Sequence, residues 1–165
     1  MAAPTKPSVD RVDNALKVAN PASAPTVAPI YSPAYGIQLI LQSVGVVDGD
    51  SGWTSATGQE PDQPDKMVTI YDRGGRAPEV VVGINWPEVQ FIVRGGMLDY
   101  NGAYGQCIAI RNAIQAIPDQ PVWPELTSVW ERTDIQNLGR DGASRPRLSM
   151  NYQLITTPVD PGYRM

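Results

Sequence analysis

The sequence predicts an α/β (α+β) protein: one mixed four- to five-stranded sheet with two main helices packed on it, preceded by an extended N-terminal arm. Three observations carry that expectation. Ala103, Cys107, Ile110, Ile114 and Ile117 recur at alternating steps of four and three, which lines one side of a helical cylinder. Leu148, Met150, Tyr152 and Leu154 alternate with Arg147, Ser149, Asn151 and Gln153, so Arg147–Thr157 is a strand with one core face and one wet face. Val89–Arg94 and Leu126–Thr133 are β-rich runs on either side of the helix. A strand, helix, strand unit of this length sets its two strands parallel and close in one sheet.

From the N-terminus, Ser8–Asn20 has the pattern of a short helix, with Ser8 as cap and Val9, Val12, Leu16 and Ala19 on one side. Alone in water a helix of that length is marginal. Pro21 to Pro33 is proline-rich and reads as an extended spacer. Residues 1–32 are therefore either an unstructured tail or an arm that reaches a neighbouring subunit. The folded domain is expected over 33–157, and 158–165 as a loose tail. Ser32 and Pro33 are placed to cap and open a short, very apolar helix through Ile37, Ile40, Leu41 and Val44, which Gly45 ends.

Val47–Lys66 reads as one long loop holding Asp48, Asp50, Trp53, Glu60, Asp62 and Asp65, with no basic residue before Lys66. Loops of this length without secondary structure are functional or disordered as a rule. Its Asp-x-Asp opening fails as a calcium loop, because Gly52, Trp53 and Gln59 stand where an EF-hand needs an Asp or Asn, a Gly and a Glu. Met67–Asp72 is a strand, Arg73-Gly-Gly-Arg76 a turn, and Ala77–Ile84 an extended or edge segment. Arg73-Gly-Gly and Arg94-Gly-Gly are glycine turns rather than RNA-binding boxes, which come as clustered repeats in disordered chain. Neither is a phosphate loop, since no Gly-Lys-Ser/Thr follows. Asp99 or Asn101 can cap the central helix and Pro118 stops it. Asp134–Pro146, with Arg140 and Arg145, is a polar connection between two strands that pair antiparallel.

Composition narrows the chemistry. A chain of 165 residues builds one core, and its 16 prolines and 15 glycines call for many turns. A net charge of −4 argues against gripping nucleic acid through phosphates. With no histidine there is no Ser–His or Cys–His pair and no histidine-ligated metal. Cys107 falls on the apolar helix face as a small buried hydrophobe; a lone cysteine forbids an intrachain disulfide and fits a reducing cytoplasm. No apolar run approaches the roughly 20 residues of a membrane span, and the N-terminus lacks the profile of a secretion signal. The carboxylates concentrate in loops without a base, a nucleophile elbow or a ligand cluster. No catalytic constellation, cofactor or metal is expected.

Helix, long loop, Val68-Thr-Ile-Tyr-Asp72, Val89-Gln-Phe-Ile-Val-Arg-Gly95, amphipathic helix, Leu138-Gly-Arg-Asp-Gly142 and Arg147-Leu-Ser-Met-Asn-Tyr-Gln-Leu154 follow one another in an order that resembles the tail terminator (tail completion) proteins of long-tailed bacteriophages. Some of these are labelled minor capsid proteins. The resemblance covers about Ser32 to Thr157. It implies a small α/β virion subunit that forms a hexameric ring, caps the tail tube, stops its polymerisation and meets the head connector, while DNA passes through the lumen unbound. Two expectations follow. The Asp48–Asp65 loop, Trp53 included, projects toward the lumen or the tube. Arg140, Arg145 and Arg147 make ion pairs between subunits or rings, with Arg73 a further interface candidate. A different neck or head-completion protein would share the same composition. From other classes, a small-molecule-binding α/β domain needs a concave polar pocket, and an RNA-binding sheet needs exposed aromatics in a basic field.

Overall fold

The computed structural model describes residues 31–79, 83–116, 123 and 125–157. Residues 1–30 of the expected N-terminal arm, Ile117 and Pro118 at the end of the central helix, and the tail at 158–165 lie outside the described residues.

Helix α1 spans Pro33–Ser43. Its start is capped twice: the Ser32 hydroxyl accepts from the Tyr35 N–H at 3.3 Å, and the Asp72 carboxylate, far away in sequence, accepts from the Ala34 N–H at 2.8 Å. These are two of the donors that a helix start leaves without partners. Loss of such a cap costs about 1 kcal/mol. We expect Asp72→Ala to lower the urea midpoint accordingly and Asp72→Asn, which keeps the acceptor, to restore most of it. Ala34, Ile37, Ile40 and Leu41 are buried. Gly36 is required by close approach, because a Cβ there would stand 2.5 Å from the Trp123 ring.

Helix α2 spans Tyr100–Gln115, with the Asp99 carboxylate accepting from the Gly102 N–H at 2.9 Å. The expected stripe of Ala103, Cys107, Ile110 and Ile114 is buried. Gln106 joins that face and donates to the Val46 carbonyl at 2.8 Å, tying α2 to the chain just past α1.

Five strands, β1 (Thr54–Thr57), β2 (Met67–Glu79), β3 (Ile84–Arg94), β4 (Leu126–Arg140) and β5 (Pro146–Thr156), form one mixed sheet in the order β1-β2-β3-β5-β4. Of the four strand pairings only β1–β2 is parallel. α1 packs on β1, β2 and β3, and α2 on β3, β5 and β4. Both lie over one face, where Val68, Ile70, Val89, Phe91, Val93, Leu148, Met150, Tyr152 and Leu154 make the core. The predicted mixed sheet with two helices is the fold observed.

Four details differ from the sequence reading. β3 and β4 do run parallel, but β5 lies between them and pairs antiparallel with both. The short Asp141–Arg145 connection holds β5 beside β4, and the other edge of β5 pairs with β3 from Asn85↔Thr156 to Arg94↔Arg147. The Val47–Lys66 segment is not one loop. It contains a 3-10 turn at Gly49–Ser51 and the edge strand β1. Arg73-Gly-Gly-Arg76 is a bulge inside β2 rather than a turn: Gly74 and Gly75 take φ of +82° and +106°, and the register shifts there while the strand continues to Glu79. Likewise β4 runs through the supposed polar connection as far as Arg140, with several register shifts on the way.

Candidate functional site

The face of the sheet that carries no helix is closed at one end by a strap, residues 58–66, which returns from β1 to β2. Three arginines hold it. Arg94, the last residue of β3, alternates with Val93 onto this helix-free face and is only 3 % exposed. Its Nε donates to the Asp65 carbonyl at 3.2 Å, one Nη to the Asp62 and Pro64 carbonyls at 3.1 and 2.8 Å, and the other to the Glu60 carboxylate at 3.2 Å. Arg147, its neighbour on β5, meets the other oxygen of Glu60 at 2.6 Å. Arg145 donates to the Asp62 carbonyl at 2.7 Å, to Asp65 at 3.0 Å and to Asp141 at 2.7 Å. A planar five-donor guanidinium suits this clustering of carbonyls and carboxylates better than an ammonium.

These groups line an open cavity of about 580 Å³ with Gln63, Gly142 and Ala143. Each described guanidinium in it is matched by a carboxylate or carbonyl from the same chain. Burial pushes the Asp141 carboxyl up, but hydrogen bonds from the Arg145 backbone and side chain and from the Ala143 N–H outweigh it, leaving the group below its usual value. Tyr71 sits beneath the strap, and burial, followed by the nearby Glu60 charge, raises its phenol.

Asp48 anchors the other end of the acidic stretch. It adopts φ +58°, and its carboxylate accepts from the Ser55 N–H, the Ser55 hydroxyl and the Gln42 amide. Burial opposes the charge, yet these hydrogen bonds win and hold the carboxyl below its usual 3.8. A depressed carboxyl contributes stability above its unfolded pKa and loses it as pH falls through the folded one. We therefore expect the acid limb of a stability–pH curve, at and below about pH 4, to flatten in Asp48→Asn, as read from urea midpoints at stepped pH.

The remaining candidates are scattered. Asp50 is exposed in the 3-10 turn. Trp53, 9 % exposed, belongs to the core, with the Lys66 ammonium 5.7 Å from its ring. Arg73 lies exposed in the outer half of β2, and Arg140 is exposed at the end of β4. The structure thus brings Glu60, Asp62, Asp65, Arg145 and Arg147 together and leaves Asp48, Asp50, Trp53, Arg73 and Arg140 apart from them. Sequence reasoning missed Arg94. Its signal was a charged residue closing an apolar strand in phase with the wet face.

Little chemistry is on offer. Among the described residues no group of three acidic, histidine or cysteine side chains could hold a metal ion. Burial pushes the Cys107 thiol up to about 12, so it stays protonated and unreactive at neutral pH. No described helix is long and apolar enough to cross a membrane.

Surface apolar groups are more telling. Met97 and Leu98, in the turn between β3 and α2, are 65 % and 63 % exposed. Tyr100 and Tyr104 continue the patch along α2 with rings stacked 6.3 Å apart. Trp130, on β4, is 48 % exposed. Exposed apolar clusters of this kind mark protein contacts.

A family model described as bacteriophage tail terminator protein matches residues 40–158. No curated protein matches the chain.

Proposed function

The chain belongs to the bacteriophage tail terminator proteins, and from that premise we propose that it closes into a ring at the head-proximal end of the tail tube, stops the tube growing and joins it to the head connector. A member of this family is a structural tail component of the virion and not an enzyme. The family match over 119 of 165 residues (158 − 40 + 1) carries the reading. The geometry is in keeping with it: a five-stranded sheet, a strap whose Glu60, Asp62 and Asp65 are held by Arg94, Arg145 and Arg147, and apolar side chains displayed to solvent. Six copies are the expected ring number, by resemblance to the family; symmetry itself follows from an interface angle. DNA would pass through without being gripped, since the net charge of −4 repels phosphate. Arg73, exposed in the outer half of β2, Arg140, exposed at the end of β4, and the exposed Asp50 are the charged groups we assign to contacts between neighbours. Arg145 and Arg147 act there through the strap they hold.

The purified protein should run as a closed ring by native mass and negative-stain imaging. Added to polymerising tail tube protein, it should halt elongation. A chain that stays monomeric beside the tube would end the proposal. One that binds the connector but never the tube would instead be a head-completion protein.

A further inference from the structure

Three polar atoms on the helix-free face are shut away from solvent and paired with nothing. Among the described residues four buried side-chain nitrogens or oxygens lack a hydrogen-bond partner, and three of them, Thr69 Oγ1, Ser149 Oγ and Arg147 Nε, lie together. Thr69 and Ser149 both stand opposite Ile92, so the three residues form one row across β2, β3 and β5. Arg147 shares that face one row further on, opposite Arg94. Thr69 and Ser149 are 0 % exposed and Ile92 6 %, although no helix packs on this side.

The strap covers the row. Glu60 bonds Arg94 and Arg147 on one side of it and stands at Tyr71 on the other, where its charge and its backbone N–H both act on the phenol. Arg94 lies opposite Met67 and Tyr71 opposite Gln90, so these contacts bracket the row of Thr69, Ile92 and Ser149. Apart from Pro61 and Pro64 the strap is polar or glycine, and none of its residues is buried. Its ends are pinned to neighbouring strands: the Gly58 N–H donates to the Ile70 carbonyl at 2.9 Å, and the Lys66 carbonyl accepts from the Thr54 N–H at 3.2 Å. Two contributions therefore oppose each other. Guanidinium bonds shut the strap, and the orphaned atoms beneath it favour opening, because each forfeits its hydration without a replacement. A segment balanced in this way, with no large apolar anchor, belongs to the part of a fold that opens before the rest.

We propose that residues 58–66 are a clasp that opens as a unit about its two pinned ends while the sheet stays folded. Closed, each of the three guanidiniums meets a carboxylate of the strap. Open, Arg145 keeps Asp141, but Arg94 and Arg147 lose Glu60 and turn a neutral face into a cationic one that also bears two hydroxyls. The clasp is a property of the single subunit and stands whether or not a ring forms.

The test labels a thiol placed beneath the strap. Ser149→Cys is made in the full chain, with the buried Cys107, its thiol pushed up to about 12, as internal control. In native buffer a thiol reagent should modify position 149 roughly a hundredfold faster than Cys107, at a rate nearly flat in low urea, because a local opening exposes little surface. Adding Glu60→Gln should speed that labelling roughly tenfold, and adding Thr69→Val, which removes an orphaned hydroxyl at nearly constant shape, should slow it roughly tenfold. Thr69→Cys, labelled in the same way, reads the opening from β2 if the variant at 149 does not fold. Labelling that waits for global unfolding, with the urea dependence of Cys107, would overturn the clasp. So would rapid labelling indifferent to Glu60→Gln, or faster labelling with Thr69→Val, since the hydroxyl would then be a bonded part of the closed state.

Discussion

Arg94→Ala is expected to cost about 3–5 kcal/mol of stability, the range for removing one partner of a buried, hydrogen-bonded charge. The guanidinium donates to three strap carbonyls and to Glu60, and alanine would leave all four acceptors without it. The loss should be local before it is global. Amide hydrogen exchange across residues 58–66 should accelerate while the amides of β3 and β5 stay protected, as regions with few anchors open first. Arg94→Lys should recover only a minor part, because one ammonium cannot span donors aimed at 62, 64 and 65 together. A strap that stays protected in Arg94→Ala would show that apolar packing, and not the guanidinium, holds it down.

Phe91→Ala should cost a similar amount, about 3–5 kcal/mol, by a different route. Phe91 is fully buried at the middle of β3, paired across to Ile70 and Met150, and packs edge-on to Tyr152 with ring centroids 5.5 Å apart. Its removal opens a cavity where both helices rest on the sheet. Unfolding should stay a single transition with a lower urea midpoint, and exchange should rise everywhere together. Phe91→Leu should cost clearly less, because most of the volume stays. A loss in Phe91→Ala below about 1 kcal/mol would mean that the helices settle into the gap.

What was legible in the sequence follows from how local its causes are. Ser32 and Pro33 announce α1, and the four-three spacing announces α2, because helix hydrogen bonds and caps are made within a few residues. β5 was equally plain from its alternation. β1 was not, since Thr54-Ser-Ala-Thr57 has no apolar rhythm and becomes a strand only by lying beside β2. The glycines at 74 and 75 gave a false stop: a left-handed residue serves a bulge as well as a turn, and only the β3 partner decides which. Of the candidate site, Glu60, Asp62 and Asp65 come together with Arg145 and Arg147 while Asp48 and Asp50 stand apart, and none of these partnerships was legible. Arg94 lies 29 to 34 residues from its strap partners, and Arg147 lies 87 from Glu60. Separations of that size leave no periodic trace, so a charge-rich stretch that folds back on its own chain looks the same as one that reaches outward.

Arg94 also addresses the strap mostly through carbonyl oxygens, which every amino acid supplies. The outline of that segment is therefore insulated from the identity of its side chains at Asp62 and Gln63. Related viruses could exchange those two residues freely, retuning the charge shown to whatever lies alongside, without rebuilding the scaffold underneath.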